Sequence, residues 1–259
     1  MYSMVTIKTN KEIEKMREAG DITIRAIELV GEHIRPGIST KELDKIAHDY
    51  IISRGAKPSF LGYQGFPASI CASIDDEVVH GIPKHDRILE EGQIIGIDCG
   101  VIKNGYQGDA ARTFAVGTIS EEKQKLIKTT EECFWEAIKN LKEGSRLGDI
   151  GAAIQKHAEK HGYSVVRVMG GHGIGRKMHE DPYIPMFGTA GTGIKLKAGM
   201  TLAIEPMVNV GTFDLHLDGW DARTRDGKPS SHYENTVLIT ENGVEILTKK
   251  LEANNFEQS

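Results

Sequence analysis

The feature that most constrains the fold of this chain is an internal repeat with a constant offset of 107 residues. Residues 35–43 align with 142–150, and residues 89–98 align without a gap with 196–205. In each copy a glycine-containing turn leads into a helical pattern, and a later glycine turn leads into a short apolar strand that ends in a carboxylate. Short similarities arise by chance, but one offset shared by two segments favours a duplication.

The repeat predicts one domain, residues 1–259, built from two pseudo-equivalent halves at about 1–118 and 119–259. Each half should contain a long helix, at about 10–34 and about 121–141. A second, shorter helix should follow in each half and end at a glycine in a left-handed cap, at Gly55 and Gly162.

Composition is that of a globular protein, with 39% hydrophobic and 27% charged residues. Three cysteines, Cys71, Cys99 and Cys133, lie in unrelated contexts, which argues against a disulfide framework and fits a reducing compartment. A net charge of -5 does not suit a binder of polyanions. No segment is typical of a signal peptide or a bilayer span. We therefore expect a cytoplasmic protein with no direct nucleic-acid or membrane partner.

Two aspartates lie on a predicted β-hairpin. Asn104-Gly105 is a strong signal for a two-residue turn, which would pair Gly100 with Asp109. Asp98 would then be a diagonal neighbour of Asp109 on one strand face, about 7–8 Å away at the backbone. Two such carboxylates repel unless one is protonated or a divalent cation lies between them. The alternative is a pair of exposed acids on a solvated hairpin, so a metal site requires further donors.

Three further side chains are candidate donors. Glu205 ends the second apolar strand, Glu234 opens a β-rich run, and His172 stands where a strand meets a run of glycines. Those glycines fit neither GxGxxG nor the P-loop pattern, which sets aside a nucleotide-binding loop. Four carboxylates and one imidazole suit Mn²⁺, Fe²⁺, Co²⁺ or Zn²⁺ in a two-metal centre, which can hydrolyse an amide without a covalent intermediate.

Two more histidines, His80 and His179, stand in notable contexts, although either alone is more often a packed or surface residue than a catalytic one. No GxSxG motif is present and no cysteine has a histidine partner nearby in sequence, which argues against a covalent hydrolase. A carboxylate-bridged oxygenase would need ExxH pairs on helices, and these are missing in a suitable arrangement.

Five residues resemble, in order and spacing, the metal ligands of the creatinase-like "pita-bread" metallopeptidases: Asp98, Asp109, His172, Glu205 and Glu234. Within that group, four segments are similar to type I methionine aminopeptidases: residues 61–67, 76–83, 171–175 and 203–207. The resemblance covers nearly the whole chain. It implies an α/β (α+β) fold in which two pseudo-symmetric halves form a curved antiparallel sheet, covered outside by four main helices, with the active site in the concave face.

The resemblance also implies roles for the site residues. The five ligands would hold two divalent metal ions (Mn, Fe, Co or Zn), and Glu205, bound to metal and touching the bridging water, would act as general base and proton shuttle. His80 would contact the scissile amide nitrogen, and His179 would stabilise the oxyanion. The walls of a methionine pocket would be Phe60, Tyr63, Phe66, Cys71, Met178 and Trp220. Without the motif, the aromatic residues at 60, 63 and 66 would be interpreted as core.

The implied function is removal of the initiator methionine from nascent proteins and peptides with a small second residue, by a monomer in transient contact with the ribosome. Proline-specific aminopeptidases share the fold and ligands but usually carry a substantial N-terminal domain, whereas about ten residues precede the first predicted helix here. A catalytically inactive protein-binding module would lose ligands, and all five are present. Residues 211–231 are interpreted as a polar, turn-rich loop with no assigned role beyond Trp220.

Overall fold

The computed structural model describes residues 5–251; the remaining ends of the expected domain, 1–4 and 252–259, lie outside the described residues. The helices are α1 (Asn10–His33), α2 (Thr40–Ser53), α3 (Glu121–Ile138) and α4 (Leu147–Lys160). The strands are β1 (Lys57–Pro58), β2 (Ile70–Ile74), β3 (Glu77–Val79), β4 (Ile94–Lys103), β5 (Tyr106–Ala115), β6 (Ser164–Val165), β7 (Gly170–Gly173), β8 (Glu180–Pro185), β9 (Thr201–Ile204), β10 (Met207–Asn209), β11 (Leu215–Asp218), β12 (Asp221–Thr224), β13 (Ser230–His232), β14 (Glu234–Ile239) and β15 (Val244–Ile246). Within 5–251, no helix is long and apolar enough to cross a bilayer.

The largest sheet has nine strands. Seven follow the order β1-β4-β5-β14-β9-β7-β8, while β2 pairs with β4 and β15 pairs with β14. Two smaller sheets have the orders β13-β10-β6 and β11-β12-β3. All these strand pairs are antiparallel, which confirms the mixed α/β fold with antiparallel sheets and four helices that the sequence resemblance implies.

The shorter helices, α2 and α4, recur at the sequence offset. Each has 14 residues, and their first residues are 107 positions apart. They are followed by Gly55 and Gly162, whose φ angles of 62° and 82° confirm the predicted left-handed caps. The residues that precede them form equivalent isolated β-bridges, Ser39 with Ile88 and Arg146 with Lys195. The longer helices end at His33 and Ile138, slightly before the expected ends.

Two hydrophobic clusters hold the helices on the strands. In the first part of the chain, Ile27 and Leu43 from α1 and α2 are fully buried with Ile97 of β4. In the second part, α3 and α4 form a separate cluster with β9 and β14. Because successive strand residues point to opposite faces, Ile97 points to the helices while its neighbour Asp98 points to the other face of the sheet. The helices thus leave that face free for a site.

Residues 211–231 differ from the expected loop. They contain the antiparallel β11–β12 hairpin and the start of β13. The hairpin turn contains Gly219, with φ at 58°, and Trp220. Strand β12 also pairs with β3, and His80 directly follows β3. The polar sequence is therefore a hairpin that brings Trp220 beside His80.

Candidate metal centre and active site

The β4–β5 hairpin brings the two aspartates together. Asn104 and Gly105 have φ angles of 51° and 78°, as a tight two-residue hairpin turn requires. Gly100 pairs with Asp109, so the predicted register is confirmed. Asp98 and Asp109 therefore share one face of the sheet, two residues apart in register.

Neighbouring strands bring the other donors to the same face. Ala111 of β5 pairs with Asp98 on one side and with Glu234 of β14 on the other. Directly paired residues point to the same face, so the small alanine side chain leaves room between the two carboxylates. Similarly, Ala203 of β9 pairs with His172 of β7, and Glu205 follows two residues later. The structure thus brings together all five sequence-predicted ligands.

Glycines are needed on both sides of His172. A Cβ atom at Gly171 would lie 2.2 Å from the carbonyl oxygen of Ala203, and one at Gly173 would lie 2.1 Å from that of Asp181. No side chain fits at either position without moving the neighbouring strand. The glycine run therefore allows β7 to pack closely between β8 and β9 and holds the imidazole at the carboxylates.

A sixth side chain, that of His232, lies among these donors; the sequence predicted a donor only at Glu234, two residues later. Its Nε2 atom is 3.7 Å from Glu234 Oε2 and 3.8 Å from Glu205 Oε2. The signal that could have found it is the His-x-Glu spacing, because alternate residues of an extended segment share a face. The donors form two groups, and within each group the donor atoms lie within 4.8 Å of one another. One group contains Asp98, His232 and Glu234, and the other contains Asp109, His172 and Glu234.

Several buried atoms of this cluster have no hydrogen-bond partner within residues 5–251: Asp98 Oδ1, Asp109 Oδ1, Glu234 Oε1 and His232 Nε2. Burial raises the pKa of Asp98 to about 7. Burial, reinforced by neighbouring carboxylates, raises the pKa values of Asp109, Glu205 and Glu234 well above their ordinary range. Without a cation this cluster cannot hold four negative charges, and a divalent ion would satisfy the unpaired oxygens.

The two accessory histidines face the same cavity. The His179 Nδ1 atom lies 2.7 Å from the Tyr63 hydroxyl, and its ring is 4.2 Å from the His172 ring. His80 packs edge-on against Trp220, with ring centroids 5.5 Å apart. Its φ angle of 62° is uncommon for a non-glycine residue and is a form of strain associated with functional sites. Burial lowers the pKa of His80 to about 4, so its imidazole is neutral at pH 7.

A small cavity of about 70 Å³ joins the donors to an apolar wall. Its lining includes all the predicted ligands, both accessory histidines and five of the six predicted pocket residues: Phe60, Tyr63, Phe66, Cys71 and Trp220. The sixth, Met178, is buried and lies with Phe60 against the face of Gly100 that a Cβ atom would occupy, outside this lining. Burial raises the pKa of the Cys71 thiol well above its usual range, so Cys71 is a neutral wall residue.

Comparisons with known proteins point to one family. The family model described as metallopeptidase family M24 matches residues 14–241. Methionine aminopeptidase from Clostridium acetobutylicum is 53% identical over 247 residues, which are 95% of this chain and 99% of that protein.

Solved structures agree with the sequence relatives. Methionine aminopeptidase from Rickettsia prowazekii superposes with a TM-score of 0.93 at 43% identity, covering 95% of this chain and all of that one. Prolidase from Pyrococcus furiosus superposes with a TM-score of 0.78 at 26% identity, covering 96% of this chain but 66% of the prolidase. The fold is thus the pita-bread fold of these enzymes. The chain belongs to metallopeptidase family M24, in the branch of the bacterial methionine aminopeptidases.

Proposed function

We propose that this chain is a metal-dependent aminopeptidase that removes the initiator methionine from nascent proteins and peptides with a small second residue. One observation carries the proposal: a single cavity joins a cluster of buried carboxylates and imidazoles to an apolar wall of aromatic and thiol side chains. A methionine side chain seated against that wall would present its peptide bond to the cluster. The identity of 53% to a methionine aminopeptidase over nearly the full chain supports this assignment.

The donor set fits divalent cations. We propose that Asp98, Asp109, His172, Glu205 and Glu234 hold two ions of Mn, Fe, Co or Zn, whose mixed oxygen and nitrogen preference matches these side chains. The unpaired buried oxygens support this proposal, and so does Glu234, which belongs to both donor groups. When bound, such ions polarise the scissile carbonyl and lower the pKa of the attacking water.

The protein side chains would move the protons. Glu205, at the edge of the cluster with a side chain that is 14% exposed, would take a proton from the attacking water and deliver it to the departing amine. The Tyr63 hydroxyl would donate to His179 Nδ1, which leaves the Nε2 proton free to stabilise the oxyanion. His80 would contact the scissile amide nitrogen.

The aromatic wall would select the first residue. The ring of Phe66 packs edge-on against those of Trp220 and Phe60, with centroid distances of 5.2 Å and 6.5 Å. These contacts give the wall a fixed shape. Sulfur–aromatic and dispersion contacts would favour the flexible thioether of methionine. The cavity is far smaller than the roughly 300–1,000 Å³ of sites for drug-sized ligands, so it suits one side chain. Met178 would support Phe60 from behind.

We further propose that the enzyme works as a monomer in the cytoplasm, where nascent chains emerge, in transient contact with the ribosome. Three buried free cysteines support a reducing compartment. Light scattering of the purified protein tests the monomer, and co-sedimentation with ribosomes tests the contact. A stable dimer would contradict the monomer, and failure to sediment with translating ribosomes would contradict the ribosome contact.

A peptide panel tests the proposed activity. Metal-stripped protein is reloaded with Mn²⁺, Fe²⁺ or Co²⁺ and assayed on Met-Ala-Ser, Leu-Ala-Ser, Met-Lys-Ser and Ala-Pro-Ser. Cleavage confined to Met-Ala-Ser is expected, because the pocket selects methionine and the site requires a small second residue. The similarity to a prolidase makes a proline-specific aminopeptidase the second candidate, and preference for Ala-Pro-Ser would establish it. A folded protein that cleaves none of the peptides would instead support an inactive binding module.

A further inference from the structure

We propose that His232 is a sixth metal ligand, so that each of the two ions is bound by one imidazole. The inference rests on the proposed metal centre and adds a ligand to it. It assigns His232 to the position defined by Asp98 and Glu234, while His172 serves the position defined by Asp109 and Glu234.

The distances around the two imidazoles match. His172 Nε2 is 3.9 Å from Asp109 Oδ2 and 3.7 Å from Glu205 Oε1. His232 Nε2 is 3.8 Å from Glu205 Oε2 and 3.7 Å from Glu234 Oε2. Two donors that bind one ion at about 2.0–2.2 Å each are separated by roughly 3–4 Å, depending on the angle between them. Both nitrogens therefore stand at distances that suit shared coordination.

Hydrogen bonding does not explain the position of His232. Its side chain is 4% exposed, and its Nε2 atom has no hydrogen-bond partner among the described residues. Separations of 3.7 and 3.8 Å are too long for a hydrogen bond to either carboxylate. Asp98 Oδ1 and Glu234 Oε1 are unpaired as well. Because unpaired buried polar atoms are costly, a cation between them is the simplest way to satisfy all three atoms.

The backbone fixes His232 in this orientation. The Thr113 hydroxyl accepts a hydrogen bond from the His232 N–H at 3.0 Å and donates one to the His232 carbonyl at 2.9 Å. On the other side, His232 pairs with Met207 in the β10–β13 ladder. Glu234 follows two residues later, so both side chains point into the site. The imidazole is thus preorganised, as a ligand should be.

The proposed ligand changes the chemistry of one metal position. With Asp98 and Glu234 alone, that position would present only oxygen donors, which suit Mn²⁺ or Mg²⁺. An added imidazole nitrogen shifts the preference towards Fe²⁺, Co²⁺ or Zn²⁺. We therefore expect both positions to prefer these later metals.

Proton NMR of the Co²⁺-loaded full-length protein tests the proposal, because paramagnetic Co²⁺ shifts the ring protons of coordinated histidines far outside the normal range. Two shifted histidines are expected in the wild-type protein. His232→Gln should remove one set and His172→Gln the other, while His80→Gln, the same change at a histidine outside both donor groups, should keep both. In parallel calorimetric titrations, His232→Gln should lower the Co²⁺ affinity of one position. The loss should exceed the roughly 10–100-fold that follows removal of a residue that only hydrogen-bonds to a metal ligand.

The outcomes separate this inference from the proposed function. A wild-type spectrum with a single shifted histidine that is lost in His172→Gln would overturn the role of His232 and leave the five-ligand centre intact. Two Co²⁺ ions bound with unchanged affinity by His232→Gln would overturn it as well. Absence of Co²⁺ binding to the wild-type protein would overturn the metal centre itself. The wild-type spectrum alone distinguishes these cases if the variant does not fold.

Discussion

At the scale of single residues, the site depends on buried carboxylates that are incompletely hydrogen-bonded within the described part of the chain. Asp98, Asp109 and Glu234 each keep an unpaired buried oxygen, and burial raises the pKa of every one of them. The surrounding strands of the sheet hold these side chains in place and offset the unfavourable free energy of burying them. Changes at these residues should therefore affect activity and stability in opposite directions.

Glu205→Gln should reduce turnover of Met-Ala-Ser by roughly 10²–10⁴-fold, because the amide cannot carry a proton from water to the departing amine. The measurement is kcat for the metal-saturated variant. Glu245→Gln is the matched control: Glu245 binds Arg17 at a partly exposed ion pair, so its loss should leave kcat unchanged and alter stability by about 0–1 kcal/mol. Near wild-type turnover in Glu205→Gln would exclude Glu205 as the proton carrier.

The metal-free protein should lose stability as the pH rises. Asp98 has a folded pKa of about 7, above its unfolded value, so its contribution is complete below about pH 4 and is lost as the pH rises through 7. His172 acts oppositely: its pKa is lowered to about 4, so its contribution is present above pH 6.5 and lost on acidification through 4. Above about pH 6.5, where the His172 contribution no longer changes, the carboxylates should therefore determine the trend.

Thermal unfolding of metal-free protein between about pH 6.5 and 8, which spans the pKa of Asp98, checks this trend. We expect Tm to fall across that range, and Asp98→Asn to reduce the slope because it removes one ionising group. Added Mn²⁺ should abolish the fall in the wild-type protein. A Tm that rises with pH in the absence of metal would show that the carboxylates are not held in an unfavourable environment.

At the scale of elements, two local devices position the donors: the Asn104-Gly105 turn and the glycines of β7. The turn residues were sufficient to predict the register that pairs Gly100 with Asp109, because a two-residue turn leaves one pairing. The β11–β12 hairpin was missed, since its strands are only four residues long, β11 is mostly exposed, and the turn lacks such a signal. His232 was missed because its position beside the site is set by backbone contacts with β10 and with Thr113 of β5, which the local sequence does not reveal.

Gly173→Ala should displace β7 and weaken metal binding. The added Cβ would lie 2.1 Å from the Asp181 carbonyl oxygen, and backbone cannot yield as a flexible side chain can. We expect a loss of roughly 1–3 kcal/mol in the free energy of unfolding, with weaker Mn²⁺ binding because His172 moves with the strand. Gly243→Ala is the control, since no atom lies within 4 Å of its Cβ position and its φ is not positive. Equal behaviour of the two variants in urea unfolding and Mn²⁺ titration would contradict this role of Gly173.

At the scale of the whole molecule, the offset of 107 residues relates α2 to α4 and one isolated bridge to another. We propose that the chain is a single domain in which the halves, about 1–118 and 119–259, unfold together. Strand β14 supports this view, because it pairs with β5 from the first half and with β9 from the second. The sequence predicts the halves and their helices, but not this shared ladder, which depends on contacts between distant segments.

Leu43→Ala tests the coupling of the halves. Leu43 is fully buried in the first half, so its truncation should cost about 2–5 kcal/mol. Trp135 lies in the second half, whereas Trp220 contacts Phe66 and His80 of the first half, so the test uses a Trp220→Phe background in which fluorescence reports the second half alone. We expect one transition, shifted by the first-half change; Ile52→Ala, at an exposed position, should shift it little. An unshifted fluorescence midpoint, or two separate transitions, would contradict a single domain.

Metal-dependent methionine release is tested by a titration of metal-free protein with Co²⁺ in which bound ions per chain and the rate of methionine release from Met-Ala-Ser are measured together. We expect the rate to rise from a negligible value with bound metal, and binding to saturate at two ions per chain. Asp109→Asn, which removes a charged donor from the position defined with His172 and Glu234, should lower both the ion count and the rate. A rate that does not depend on bound metal, or methionine release that persists after chelation, would exclude a metal-dependent aminopeptidase.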